Sequence, residues 1–292
     1  MLADELIADQ YLPRQYLGLD KVLSKIASAQ KFNLATDFAL AGDGLVDNFP
    51  ELEKITPFCR LPYPLCWFEF AQADRHHWMN APMHYPGLQG SPHRVGYLAE
   101  AIDGDLAHWR TYLCWSLKNW PKEGGTPLNV SPMCVLYHTD RPEPLREGGI
   151  VDCVTFDLAD FDLGLPPEAL TSYLATLGRS DWAGEIRYFI AILGLLNSRN
   201  VAETETVQFT KLNRSRAKQR KFPLSSHTLL KIRPAHKPSL IGRANGAARS
   251  MEIRAHFVRG HFKTRRSGIF WWGPHMRGRL EHGYVSKDYE VV

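Results

Sequence analysis

Between Leu65 and Leu158 the chain is a succession of short apolar runs, and that pattern points to a sheet. LCWFEFA (65–71) alternates, with Cys66, Phe68 and Phe70 on one face and Trp67, Glu69 and Ala71 on the other. VGYLAEAI (95–102), Trp109 to Leu117, Met133 to Tyr137 and VDCVTFDL (151–158) follow. The turn signals Asp103-Gly104, Gly124-Gly125 and Gly148-Gly149 separate them. These connections are too short for repeated helical crossovers, so the expected sheet is mostly antiparallel.

Helical patterns flank this central block. Residues 3–31 carry Leu6, Ile7, Leu17, Val22, Leu23 and Ile26 at helical spacing, interrupted by Pro13. Phe38–Leu40 and Phe49–Ile55 are too short to assign. Residues 167–177 and 181–197 predict two further helices. In the second, Ile186, Phe189, Ile190, Leu193 and Leu196 cover a wide face, widened by Tyr188 and Ile192. A helix that apolar packs on the sheet. The fold class expected is α+β: a mostly antiparallel sheet packed by helices, with a basic, β-hairpin-rich C-terminal region.

A content of 44% hydrophobic and 11% aromatic residues over 292 positions is that of a globular chain. The longest apolar run, Tyr188 to Leu196, falls well short of the roughly 20 residues that cross a bilayer. The acidic start, MLADELIADQ, lacks the basic and apolar regions of a signal peptide. A soluble cytoplasmic protein without a membrane partner is expected. Cys59, Cys66, Cys114, Cys134 and Cys153 form no C-x-x-C pair, which predicts buried core thiols and no zinc ribbon. With no P-loop, G-x-G-x-x-G or G-x-S-x-G, neither a nucleotide-driven motor nor a standard hydrolase is indicated. No cofactor is expected.

Charge divides the chain. Residues 1–200 carry 25 Asp and Glu against 16 Lys and Arg, whereas residues 201–292 carry 6 against 19. We therefore expect an acidic α+β body over 1–200 and a basic C-terminal module over 201–292. HTLLKI (227–232) is a strand able to rejoin the main sheet. A basic half of this kind favours a polyanionic partner, although docking against the acidic half is the alternative. The charge is concentrated in two places. One is KLNRSRAKQRK (211–221), with Lys211, Arg214, Arg216, Lys218, Arg220 and Lys221. The other is RAHFVRGHFKTRRSGIFWWGPHMRG (254–278), where Arg254, His256, Arg259, His261, Lys263, Arg265, Arg266, His275 and Arg277 surround Phe257, Phe262, Phe270, Trp271 and Trp272.

Alternation in 251–258 and 261–265 places Arg254, His256, His261, Lys263 and Arg265 on one surface. A turn at Ser267-Gly268 returns IFWW as the paired strand. Three readings of that surface stand. In the first, cations take phosphates and rings stack on unpaired bases, so the partner is nucleic acid, with RNA favoured. In the second, His256 and His261 are the acid and base of a metal-independent ribonuclease. In the third, the rings are core and the region is structural or binds a protein partner. No nearby cysteine or carboxylate completes a metal set with the two histidines.

LNSRNV (196–201), KLNRSRAKQRKFPLSSHTLLKI (211–232), HFVRGHFKTRRSGIFWWGPHMRG (256–278) and HGYVSKDYEV (282–291) together resemble uncharacterised proteins of phages, prophages and plasmids. Those proteins end in VRGH-x-x-x-R, G-x-x-x-W, RG and K-x-Y-x-V. LPYPLCWFEF and RVGYL resemble their N-terminal parts more weakly. The resemblance implies a mobile-element origin in a bacterial host cell. It carries no activity and no residue roles.

Three other groups have candidate chemistry. Glu69 in its apolar strand is a general-base candidate, but alternation predicts a solvent-facing carboxylate. Asp74, His76, His77, His84 and His93 lack metal-ligand spacing and read as a loop. Asp157, Asp160 and Asp162 fit a divalent cation or, more simply, exposed acids at a strand end.

Overall fold

The computed structural model describes residues 1–9, 12, 16–46, 49–74, 91–118, 126–139, 153–160, 184–233, 254–258, 261–272, 275–277 and 279–284, with residues 162, 166, 168, 169, 172 and 182 between 160 and 184. The fold is α+β, with six α-helices among the described residues and one large mixed sheet.

The helices are α1 (Leu2–Ala8), α2 (Leu19–Ser28), α3 (Thr36–Val46), α4 (Phe49–Ile55), α5 (Glu185–Asn197) and α6 (Thr210–Lys218). The eight strands of the sheet are β1 (Gln30–Leu34), β2 (Leu65–Ala71), β3 (Ser91–Ile102), β4 (Asp105–Lys118), β5 (Leu128–His138), β6 (Val154–Leu158), β7 (Ala202–Val207) and β8 (His227–Ile232). Their spatial order is β6-β5-β4-β3-β2-β1-β8-β7. From β6 to β2 every pairing is antiparallel. β1 then lies parallel to both β2 and β8, and β7 closes the edge antiparallel to β8.

Sequence patterning anticipates the antiparallel half but not the parallel one. Gln30 and Lys31, the end of the predicted 3–31 helical region, instead open the strand Gln30–Leu34 between β2 and β8. The connection from β1 to β2 contains α3 and α4, so a helical crossover is present after all. The Asp103-Gly104 signal is a tight two-residue turn. Both residues have positive φ (53° and 77°), and Ile102 pairs with Asp105 across it, as a primed hairpin turn requires. The glycine pairs at 124–125 and 148–149 lie outside the described residues, as does most of the predicted 167–177 helix.

Both sheet faces are covered. Cys66, Phe68 and Phe70 of β2, with Val95, Tyr97, Trp109, Val135 and Tyr137, pack under α3, α4 and α5. Phe189 of α5 meets Phe68, Tyr97, Trp109 and Tyr137 edge-on or tilted at 4.9–6.5 Å between ring centroids. The opposite face, with Trp67, Leu98, Tyr112, Cys114, Val130 and Cys134, packs under α1 and α2. The sheet also runs across position 200: β7 and β8 extend the surface begun by β1 and β2.

All five cysteines are buried. Burial pushes the Cys66 and Cys134 thiols up to about 12, and those of Cys59 and Cys114 higher still. Native protein is therefore expected to resist alkylation by a maleimide at pH 7. Denatured protein should take up five labels by mass spectrometry. Rapid native labelling would contradict this packing.

Candidate nucleic-acid interface

Beyond the sheet, β10 (His261–Arg265) and β11 (Gly268–Trp272) pair antiparallel, and β9 (Arg254–Val258) lies between β12 (His275–Arg277) and β13 (Arg279–Tyr284) in a separate small sheet. In the β10–β11 hairpin His261 faces Trp272, Lys263 faces Phe270 and Arg265 faces Gly268. The turn is Arg266-Ser267, one residue earlier than predicted. Gly268, with φ at +125°, is the first residue of the return strand. A Cβ there would also lie 3.0 Å from the Arg199 side chain, so the position needs glycine.

The inner face of the hairpin is built into the body. Phe262 and Ile269 are fully or nearly fully buried in the main core, and the Trp271 ring packs 4.6 Å from that of Phe262. The backbone is clamped on both strands. The Phe262 N–H donates to the Glu51 carboxylate, and the Lys54 ammonium donates to the Phe262 carbonyl. Arg199 N–H donates to the Ile269 carbonyl at 3.1 Å. Asn200 accepts from Trp271 N–H at 3.0 Å and donates to the Trp271 carbonyl at 2.7 Å. LNSRNV and HFKTRRSGIFWW, distant in sequence, thus meet in one clamp.

The outer face collects the remaining side chains. Period-2 geometry puts His261, Lys263, Arg265, Phe270 and Trp272 together there. The Lys263 ammonium lies 3.7 Å above the Trp272 ring, and the Arg265 guanidinium 5.4 Å from Phe270. The His261 ring is 6.3 Å from Trp272, which is 39% exposed. The two tryptophans therefore divide: Trp271 serves the core and Trp272 the surface. Arg266 sits exposed at the tip.

The other predicted site residues are dispersed. Arg254 and His256 lie on β9 and Arg277 on β12, with Arg277 paired to His256 in the backbone register, but their side chains lie outside the described residues. Arg259 lies outside them entirely. His256 and His261 belong to strands of different sheets.

Lys211, Arg214, Arg216 and Lys218 lie on α6, and Arg220 and Lys221 on its return. That return is pinned. Asn213 exchanges two 2.8 Å bonds with the Leu224 backbone, and the Arg216 guanidinium donates to the Phe222 carbonyl at 2.7 Å. α6 follows the Val207 end of β7, whereas the hairpin is clamped beside the Ala202 end. The six residues of β7, spanning roughly 20 Å, run between the points where the two basic segments attach. Exposed Glu203 and Glu205 lie between them. Among the described residues, no continuous basic track joins the two along this edge.

The remaining candidates resolve differently. Glu69 is fully buried, contrary to the solvent-facing expectation, because α1 and α2 cover its face of the sheet. Its carboxylate accepts from Leu2 and Ala3 N–H, each at 3.1 Å, from Trp67 Nε1 at 2.9 Å and from Arg94 Nη2 at 2.6 Å. With every oxygen engaged, it is a structural anchor.

Asp160 accepts from Tyr112 at 2.7 Å, Arg110 at 3.0 Å and Lys25 at 3.3 Å, and Arg110 also reaches Asp157. Burial acts to raise the Asp160 carboxyl, but Tyr112, Arg110 and Lys25 outweigh it and hold it below its ordinary value. These acids are neutralised by side-chain cations. Asp162 is exposed beside Leu17. Of the His-rich stretch, His93 lies exposed on β3, while 75–90 falls outside the described residues. No cluster of three or more potential metal ligands occurs among the described residues, and none of their helices is long and apolar enough to cross a membrane.

Sequence reading missed one cluster: His108 of β4 and His138 of β5 face each other with ring centroids 4.0 Å apart. Only strand register brings these residues together. Comparison with family models, curated proteins and solved structures finds no match to this chain.

Proposed function

We propose that the chain binds single-stranded nucleic acid, RNA favoured, through the outer face of the β10–β11 hairpin, and that it serves a phage or other mobile element. The observation that carries this reading is the pairing of rings with cations, Lys263 over the exposed Trp272 and Arg265 beside the half-buried Phe270, on a clamped strand pair. An exposed cation–π contact is worth about 0.5–1 kcal/mol. Stacking of a base on an aromatic ring is worth about 1–3 kcal/mol. A base therefore displaces the ammonium from Trp272 favourably and frees it for the adjacent phosphate. The rings at 270 and 272 lie about 7 Å apart along one strand face, a spacing suited to successive unstacked bases rather than a closed duplex.

Electrophoretic mobility shift with single-stranded RNA across a salt series tests the reading. Three phosphate contacts from Lys263, Arg265 and Arg266 predict a slope of log K against log salt of about −2. Trp272→Ala should weaken binding at every salt concentration by about 1–3 kcal/mol without changing the slope. Lys263→Ala should make the slope shallower by about 0.7. Absence of binding at low salt, or binding indifferent to salt, contradicts it.

A further inference from the structure

Helix α6 is built against its own electrostatics. Its first turn holds no acid and instead carries Lys211, beside the positive end of the helix dipole. Lys211, Arg214 and Lys218 recur at i, i+3 and i+7, so like charges are neighbours on one stripe about 60° wide. All three are exposed, as are Arg220 and Lys221 on the return. None of the five has an acidic partner among the described residues. The opposite flank of the helix is committed, because Asn213 and Arg216 hold the return at Leu224 and Phe222.

The end of the helix carries a second sign. Arg220 has φ at 55°, the left-handed conformation that favours glycine. The turn is closed by backbone alone: Arg220 N–H donates to the Ala217 carbonyl at 3.1 Å, and Lys221 N–H to the Arg216 carbonyl at 2.9 Å. An arginine there adds nothing to the cap that glycine would not, and backbone outliers of this kind collect at binding sites.

We propose that Lys211, Arg214, Lys218, Arg220 and Lys221 dock on the phosphate backbone of a base-paired nucleic-acid segment. The chain then holds a junction, with duplex on α6 and its return and single strand on the hairpin. Placement of the single strand rests on the function proposed above; placement of the duplex does not. No aromatic ring occurs in 210–221, so this surface offers bases nothing to stack on. A duplex presents its phosphates outward with its bases already paired, which matches cations without rings. A membrane surface fits poorly. Leu212 and Ala217, the apolar residues of α6, point to different sides of the helix and form no apolar face to insert.

Fluorescence anisotropy of the full chain with three RNAs across a salt series tests the surface: a blunt duplex, a single strand, and the duplex carrying that strand as a tail. The tailed duplex should bind more than about tenfold tighter than the single strand at low salt. Its slope of log K against log salt should be steeper by about 4, near 0.9 for each of five phosphate contacts. Lys211→Ala, Arg214→Ala and Lys218→Ala combined should remove most of that gain and leave the single strand bound as before. Alanine is the best helix former, so circular dichroism should stay native. Arg220→Gly should raise the Tm and still weaken the blunt duplex. Trp272→Ala should weaken the single strand and spare the blunt duplex, which separates the two surfaces. Blunt-duplex binding that depends on α6 supports the proposal even where the single strand does not bind. A tailed duplex bound no tighter than the single strand, duplex binding indifferent to the alanine replacements, or an α6-dependent affinity only for phosphatidylserine vesicles overturns it.

Discussion

Glu69→Ala is expected to lower the unfolding free energy by about 3–5 kcal/mol, the range for breaking a buried ion pair from one side. The carboxylate is fully buried and serves four groups: two N–H groups in the first turn of α1, the Trp67 indole and the Arg94 guanidinium. Its removal leaves all four without that acceptor. Arg94 retains Asn33 Oδ1 at 3.1 Å, which carries no charge to balance it. Buried Lys31 adds to the loss: burial lowers its pKa while Asp4 and Glu69 act to raise it. The carboxylate thus helps keep the ammonium charged. The midpoint of chemical denaturation measures the effect. A change within about 0.5 kcal/mol, as for an ordinary surface substitution, would show that Glu69 does not anchor α1 to the sheet.

Gly96→Ala should approach the upper end of the overpacking range, about 3 kcal/mol. A Cβ at this position of β3 would lie 2.2 Å from Cζ2 and 2.5 Å from Cη2 of Trp67. The tryptophan is fully buried and its Nε1 is held by Glu69, so the ring cannot swing away without giving up that bond. Gly44, inside α3, is the control. A Cβ there meets nothing within 4 Å, so Gly44→Ala should raise stability by about 0.5–1 kcal/mol. Thermal unfolding of the two variants side by side reads both signs.

The antiparallel half of the fold is legible in the sequence because strand alternation and turn chemistry are local. The face assignment of LCWFEFA is correct in the structure, with Cys66, Phe68 and Phe70 in one core and Trp67 in the other. What that faces is not local. Glu69 looked solvent-facing only because nothing in its strand reveals that α1 covers it. The five-residue β1 adjoins a helix-period segment and draws its stability from two parallel neighbours. β7 (AETETV) lies on an edge with four exposed residues, so no apolar alternation marks it. The hairpin's two faces could be read from sequence, although its turn fell one residue from the predicted place. The clamp by Asn200 and Glu51 depends on contacts across 71 and 211 positions. The His108–His138 pair likewise depends on register alone.

Photo-crosslinking most directly tests whether the hairpin's outer face is the binding surface. Single-stranded RNA containing 4-thiouridine would be irradiated with the full chain at low salt, and the adducts located by mass spectrometry. The expected adducts fall on the peptide carrying Phe270 and Trp272 and disappear in Trp272→Ala with Lys263→Ala. Adducts confined to the α6 segment, or none at all on the hairpin, would contradict the account.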